Sequence, residues 1–254
     1  MKAGLNPFFV LLVILLAGCA GKNRGIQQGE QYQAVDNYLN LARGYIREGH
    51  SEKALKPVNR ALEINSRSSE SYGVLALAYQ LQGEMNLASR AFKKALSYDS
   101  EASDIRNNYG AFLFQQGEYD KAYKQFSKAA ADVRYDRRSR AFENLGIVAL
   151  RLNDPLQAIA HLKKSLQLNP ELPRAHLALA TLFYEEDNYQ DSLHYYHAFR
   201  RLSRQTPASL LLGVRLSRQT YNKDAEINYA SQLERLYPYS QELQIYRNSM
   251  NHDK

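Results

Sequence analysis

Beyond residue 34 the apolar positions of the chain recur three and four residues apart, with polar positions between them. Tyr38, Leu41, Ala42 and Tyr45 stand at i, i+3, i+4 and i+7, one face of an α-helix. Gly49 follows, at a turn where a left-handed backbone costs glycine little. Ala54, Val58 and Ala61 then mark the apolar stripe of a second helix. The pattern predicts a helical hairpin, and no stretch shows the sustained alternation of a β-strand.

The hairpin pattern returns along the chain. Gly49, Gly83 and Gly117 are spaced 34 apart. Small residues recur at Ala42, Ala76, Gly110, Gly146, Ala180 and Gly213, with gaps of 34, 34, 36, 34 and 33. A second small row (Ala54, Ala88, Ala122, Ala158, Ser192, Ala225) and a bulky row (Val58, Phe92, Phe126, Leu162, Tyr196, Tyr229) keep the same gaps. Small residues let the two helices of a hairpin approach closely, and bulky ones fill the space beside them. The period is that of tetratricopeptide repeats. The expected fold is all-α: a right-handed superhelical solenoid of six such helix-turn-helix repeats over residues 35–254, starting near 35, 69, 103, 139, 173 and 206.

Local signals agree with that register. Asp154-Pro155 opens a helix with a cap and a first-turn proline, Asn169-Pro170 closes it, and Thr206-Pro207 opens another. Two irregularities carry expectations of their own. The gap of 36 places two extra residues near Asp132 to Arg138, which predicts a longer second helix in repeat three. Pro57, inside the second helix of repeat one, removes a backbone donor and predicts a kink.

The first residues follow a different rule. Lys2 is followed by a charge-free stretch whose apolar centre, Phe8 to Leu16, is too short to span a bilayer. It ends in Leu16-Ala17-Gly18-Cys19, which looks like a bacterial lipoprotein box. Residues 1–18 are therefore expected to be a signal peptide. Cys19 would accept a diacylglycerol on its thiol, and residues 19–34 would form the lipidated start and a flexible tether. Resemblance to lipoprotein sorting patterns, with Ala20 and not Asp after the cysteine, implies the outer membrane, facing the periplasm.

Composition removes most other chemistry. One Cys excludes an intramolecular disulfide framework and a Cys-based zinc site. The formal charge of +7 favours anionic neighbours without naming one. No GxSxG, P-loop or dinucleotide glycine pattern occurs, so no enzyme, cofactor or small-molecule substrate is expected. Asp191, His194 and His197 share one helical face and could present three ligands to a metal, but ordinary surface polarity is the expected reading. Arg134, Arg137, Arg138 and Arg140, and Arg200, Arg201, Arg204, Arg215 and Arg218, form basic clusters that could meet lipid phosphate or an acidic partner. Nucleic acid is no expected partner of an exported chain.

A solenoid without catalytic groups binds. The first helices of stacked repeats line a concave surface that accepts an extended peptide or a helix. Counting from the repeat starts, the expected partner-binding residues are Leu39, Arg43, Ile46 and Arg47 in repeat one, Leu77 and Leu81 in repeat two, and Phe114 in repeat three. Lipobox, short tether and six repeats together resemble the type IV pilus biogenesis and stability lipoproteins, the tetratricopeptide pilotins. The resemblance also covers the Asn65-Ser66 and Asn169-Pro170 repeat ends and the Asn-Tyr-Gly and Asn-Leu-Gly starts of repeats three and four. It implies an outer-membrane protein that binds the pilus secretin and promotes its localisation and multimerisation, with a partner groove on the early repeats. The alternative is a general envelope scaffold for barrel assembly or cell-wall enzymes.

Overall fold

The computed structural model describes residues 29–252, and every regular element among them is an α-helix. Helix α1 covers residues 29–47. It is followed by α2 (Ser51–Ile64), α3 (Ser69–Leu81), α4 (Met85–Tyr98), α5 (Ser103–Gln115), α6 (Tyr119–Ala131) and α7 (Arg138–Arg151). The remaining helices are α8 (Pro155–Leu168), α9 (Pro173–Glu185), α10 (Tyr189–Leu202), α11 (Pro207–Gln219), α12 (Lys223–Leu236) and α13 (Gln241–His252). The all-α hairpin fold read from the period is the fold observed. The leader and Cys19 lie outside the described residues. Residues 29–34, expected in the tether, belong to α1.

The chain divides into two compact units, Met1–Ile105 and Arg106–Lys254. In the first, α2 packs on α3 and α3 on α4, around Leu39, Ala42, Ala54, Val58, Ala61, Ala88 and Phe92, all fully buried. Ser68 caps α3 by accepting from the Ser71 N–H at 3.0 Å, and the Ser69 hydroxyl donates to the Ala95 carbonyl at 2.8 Å. Helix α2 passes through Pro57 as one element, with Pro57 buried and unable to supply the donor its turn lacks.

In the second unit the small and bulky rows meet as the sequence implies. A Cβ added to Gly110 would lie 2.8 Å from the Phe126 ring, and one on Gly146 would lie 2.5 Å from Leu162. Asp154 caps α8 by accepting from the Gln157 N–H at 3.0 Å, with Pro155 in the first turn. Thr206 and Ser209 form a reciprocal capping box at the start of α11. The two extra residues do not lengthen a helix. α6 ends at Ala131, and the surplus widens the α6–α7 connection. There Asp132 accepts from the Arg134 N–H, Tyr135 is buried, and Arg138 Nε donates to the Ala130 carbonyl at 2.7 Å, satisfying the end of α6.

The left-handed turn residues reveal the true period of the last repeats. Gly49, Gly83 and Gly117 have φ of 80°, 81° and 75°. Asn153, Asp187 and Tyr221 occupy the same turn in the later hairpins at 58°, 57° and 55°. Tyr221 follows Asp187 by 34, as Lys223 follows Tyr189, so repeat six keeps the period and the expected gap of 33 is one residue short. Glu226, not Ala225, thus takes the place of Ser192. It is buried there because Lys223 and Arg218 reach it at 2.9 and 3.0 Å. Burial opposes its charge, but the hydrogen bonds from Lys223 and Arg218 overcome that and hold the carboxyl below its usual range. After the hairpins, α13 lays Leu243 and Tyr246 against the cluster of Leu210, Leu216 and Leu233, a closing helix that the repeat count does not foresee.

Candidate functional site

In the first unit, Asn40, Arg43, Ile46 and Arg47 on α1 and Leu77 on α3 line an open groove. The helical spacing i, i+3, i+6, i+7 turns all four α1 residues to one side. Ile46 and Leu77 are half-buried and form its apolar floor, while Arg47 stands exposed. Arg43 is held by two acceptors, Asn40 Oδ1 at 3.3 Å and Glu70 Oε1 at 2.5 Å. That ion pair is exposed and adds little stability; its effect is to aim the guanidinium along the groove. An apolar floor beside two guanidinium groups suits a segment that offers an apolar side chain together with a carboxylate or free carbonyls.

Of the seven expected partner-binding residues, Arg43, Ile46, Arg47 and Leu77 line this groove. Leu81 is exposed near the end of α3, outside the lining. Phe114 belongs to the second unit, where its ring lies 5.3 Å from that of Tyr119. Leu39 is corrected: it is fully buried and faces no solvent. Val35, Leu39 and Ala42 form the buried stripe of α1, so Tyr38 and Leu41, expected to pack inward, are exposed. Both stripes satisfy a 3.6-residue period through Ala42, and periodicity alone does not choose between them.

The displaced stripe creates a second groove that the sequence reading missed. Tyr38, Leu41 and Tyr45 of α1 face Lys53, Lys56, Pro57 and Arg60 of α2, with Glu52 at one end. Its sequence signal was the pair of competing apolar stripes on α1.

The second unit carries polar links between successive repeats. Asn144 Nδ2 donates to Asn107 Oδ1 at 3.1 Å, and Arg174 Nη1 donates to Asn144 Oδ1 at 3.2 Å. Glu143 is buried, which pushes its carboxyl up; Arg174, the Ala175 N–H and Arg140 pull the other way. Leu172 precedes α9 without a side-chain cap, and the Glu143 carboxylate accepts from Ala175 in its place. Tyr123 and His161 share a hydrogen bond of 2.9 Å, and burial lowers the His161 pKa. His194 is turned edge-on to Tyr195. No three His, Cys, Asp or Glu side chains are grouped to hold a metal ion among the described residues. Of the arginine clusters, Arg138 is turned inward, Arg200 binds the Tyr229 hydroxyl at 2.6 Å, and Arg134 is exposed with its Nε 3.9 Å from Asp132.

Tetratricopeptide repeat family models match residues 69–101, 101–171 and 143–207. The type IV pilus assembly protein PilF of Pseudomonas aeruginosa is 38% identical over 240 residues, covering 93% of this chain and 95% of that protein. A solved structure of Pseudomonas aeruginosa PilF superposes with a TM-score of 0.84 at 39% identity, over 86% of this chain and 99% of that one. PilW, a widely conserved type IV pilus biogenesis factor, superposes with a TM-score of 0.74 at 29% identity, over 84% and 98%. YrrB, a tetratricopeptide protein with an unusual peptide-binding site, shares the fold at 18% identity and a TM-score of 0.61.

Proposed function

This chain belongs to the tetratricopeptide family of type IV pilus biogenesis proteins, and from that premise we propose that it is a lipid-anchored pilotin. It binds the pilus secretin and promotes the localisation and multimerisation of that protein at the outer membrane, from the periplasmic side. The observation that carries the reading is the 38% identity to PilF over nearly the full length of both chains. The groove of Arg43, Ile46, Arg47 and Leu77 supplies the surface, and the lipobox ending at Cys19 supplies the anchor. Two acyl chains suffice for stable anchoring. Holding the repeats against one leaflet raises the effective concentration of whatever they grip there. Ring assembly at the membrane then outruns misassembly elsewhere, with binding and no covalent chemistry.

Two variants test the separate parts. Cys19→Ala should still capture secretin in a pull-down but leave its multimers away from the outer membrane. Ile46→Asp with Leu77→Asp should stay anchored and lose capture by tenfold or more, as a charge facing an apolar partner group costs at least ~1.4 kcal/mol. Normal outer-membrane multimers from an unlipidated protein would overturn the tether, and undiminished capture by the double variant would overturn the groove.

A further inference from the structure

The second groove of the first hairpin is a repeat interface left uncovered. Leu41 is 49% exposed, whereas its counterparts Leu75, Leu145 and Leu179, offset by the repeat period, are 8%, 2% and 0% exposed. Each of those is covered because the second helix of the preceding hairpin packs on its own helix: α2 on α3, α6 on α7, α8 on α9. Tyr45 is half-open, as is its next counterpart Tyr79, so the uncovering is carried by Leu41. Nothing among the described residues precedes α1 to cover this face, and Tyr38 adds exposed ring surface to it.

Its chemistry is that of a water–bilayer boundary. Tyrosines join an apolar body to a polar tip and gather at membrane interfaces. Leu41 supplies exposed apolar surface between them, over a floor that includes the buried Pro57. On α2, Lys53, Lys56 and Arg60 stand at i, i+3 and i+7 along one edge; Arg60 is ion-paired with Glu63 at 2.5 Å, and Glu52 is the acid that lines the groove beside the two lysines. Cations so placed complement anionic headgroups. A second copy meeting the same face would set lysine against lysine, and residues 20–28 carry Lys22 and Arg24 without an acid. Like charge disfavours both occupants. Nine residues, 20–28, lie between Cys19 and the start of α1 at 29, ten peptide steps with a reach of at most about 35 Å when fully extended.

We propose that this face of the first hairpin docks on an anionic lipid surface, with α1 and α2 lying along the leaflet. The inference rests on the lipid-anchor reading of Cys19 and goes beyond it. The acyl chains fix the membrane, and Tyr38, Leu41, Tyr45, Lys53 and Lys56 fix which side of the hairpin faces it. The groove of Ile46 and Leu77 is a separate surface and stays available to protein.

The test removes the anchor and keeps the rest of the mature chain, as Cys19→Ala. The protein is sedimented with vesicles of phosphatidylcholine alone or with phosphatidylglycerol added. Binding is expected to the mixed vesicles only and to weaken with salt. Neutralising one such cation is worth about fivefold, so Lys53→Glu with Lys56→Glu should weaken it by at least ~30-fold. Leu41→Asn should weaken it as well, and this exposed position leaves the core intact. Because the chain contains no Trp, Tyr38→Trp is a single reporter, whose emission should shift to the blue on mixed vesicles. Lys124→Glu with Lys128→Glu, the same charge change on α6, should alter binding little. Equal loss from both charge reversals, or no sedimentation of the parent, would overturn the proposal. So would a Leu41→Asn protein that keeps its vesicle binding but loses secretin capture, since the face would then belong to protein. Loss of capture in the Ile46/Leu77 variant bears on the pilotin reading alone.

Discussion

At Gly146 one hydrogen atom decides whether two helices fit. A methyl group there would lie 2.5 Å from Leu162 Cγ and 3.2 Å from the Ala158 carbonyl, and Leu162 is fully buried and has nowhere to turn. Gly146→Ala gains up to ~1 kcal/mol of helix propensity and loses about 1–3 kcal/mol to overpacking. A contact as short as 2.5 Å puts the loss in the upper part of that range, so the net destabilisation should approach about 2 kcal/mol. Gly44 is the counterexample, helical with nothing within 4 Å of its added Cβ, so Gly44→Ala should stabilise by about 0.5–1 kcal/mol. Opposite displacements of the urea midpoint are the expected result, and shifts of one sign would contradict the packing account. The need for a small residue at 146 was legible because it repeats. The burial of Leu39 was not, because α1 offers two apolar stripes sharing Ala42 and only the packed neighbours select one.

Among elements, α9 shows what a repeat period hides. The capping of its N-terminus by Glu143 joins residues 29 or more positions apart, and no local signature announces such a pairing. His176, on the same helix, is buried with Nε2 against the Pro170 carbonyl at 2.9 Å, while its Nδ1 has no hydrogen-bond partner. The Tyr195 ring packs beside it, and His194 and the Arg201 guanidinium add to the opposition to its charge. Burial holds its pKa below the ordinary value, against the pull of the Pro170 hydrogen bond. The unfolded chain therefore takes a proton first, and stability is lost as pH falls from about 6.5 toward the lower folded value. His161 acts in the same direction, and the raised Glu143 carboxyl acts in the opposite one. The melting temperature should drop between pH 7.5 and 5.5, and more shallowly in His176→Leu. Identical pH slopes for the two proteins would remove His176 as a contributor.

For the whole molecule, the sequence conveyed fold class, helix pairing and most turn positions, because each repeat states the same packing problem again. What escaped it sits where repetition stops. The closing helix α13, the register of repeat six and the open face of the first hairpin each depend on which neighbour packs there among the described residues, which a period does not encode. The lining of the groove between α1 and α3 was largely readable, since Arg43, Ile46, Arg47 and Leu77 follow from counting within a hairpin.

The widened connection between α6 and α7 has a practical consequence. Arg138 clamps the end of α6 at the Ala130 carbonyl and Tyr135 is buried, yet between Ala130 and Tyr135 the Val133 residue is 74% exposed and the Arg134 side chain 93% exposed. Trypsin needs a basic residue in a segment that can enter its cleft, and exposed loop tips satisfy that where helices do not. Under limited digestion the first internal scission of the described region should fall after Arg134, giving a fragment beginning at Tyr135 that mass spectrometry can identify. Arg134→Gln should slow the appearance of that fragment, and the two surplus residues of repeat three would then mark where the native chain is most readily nicked.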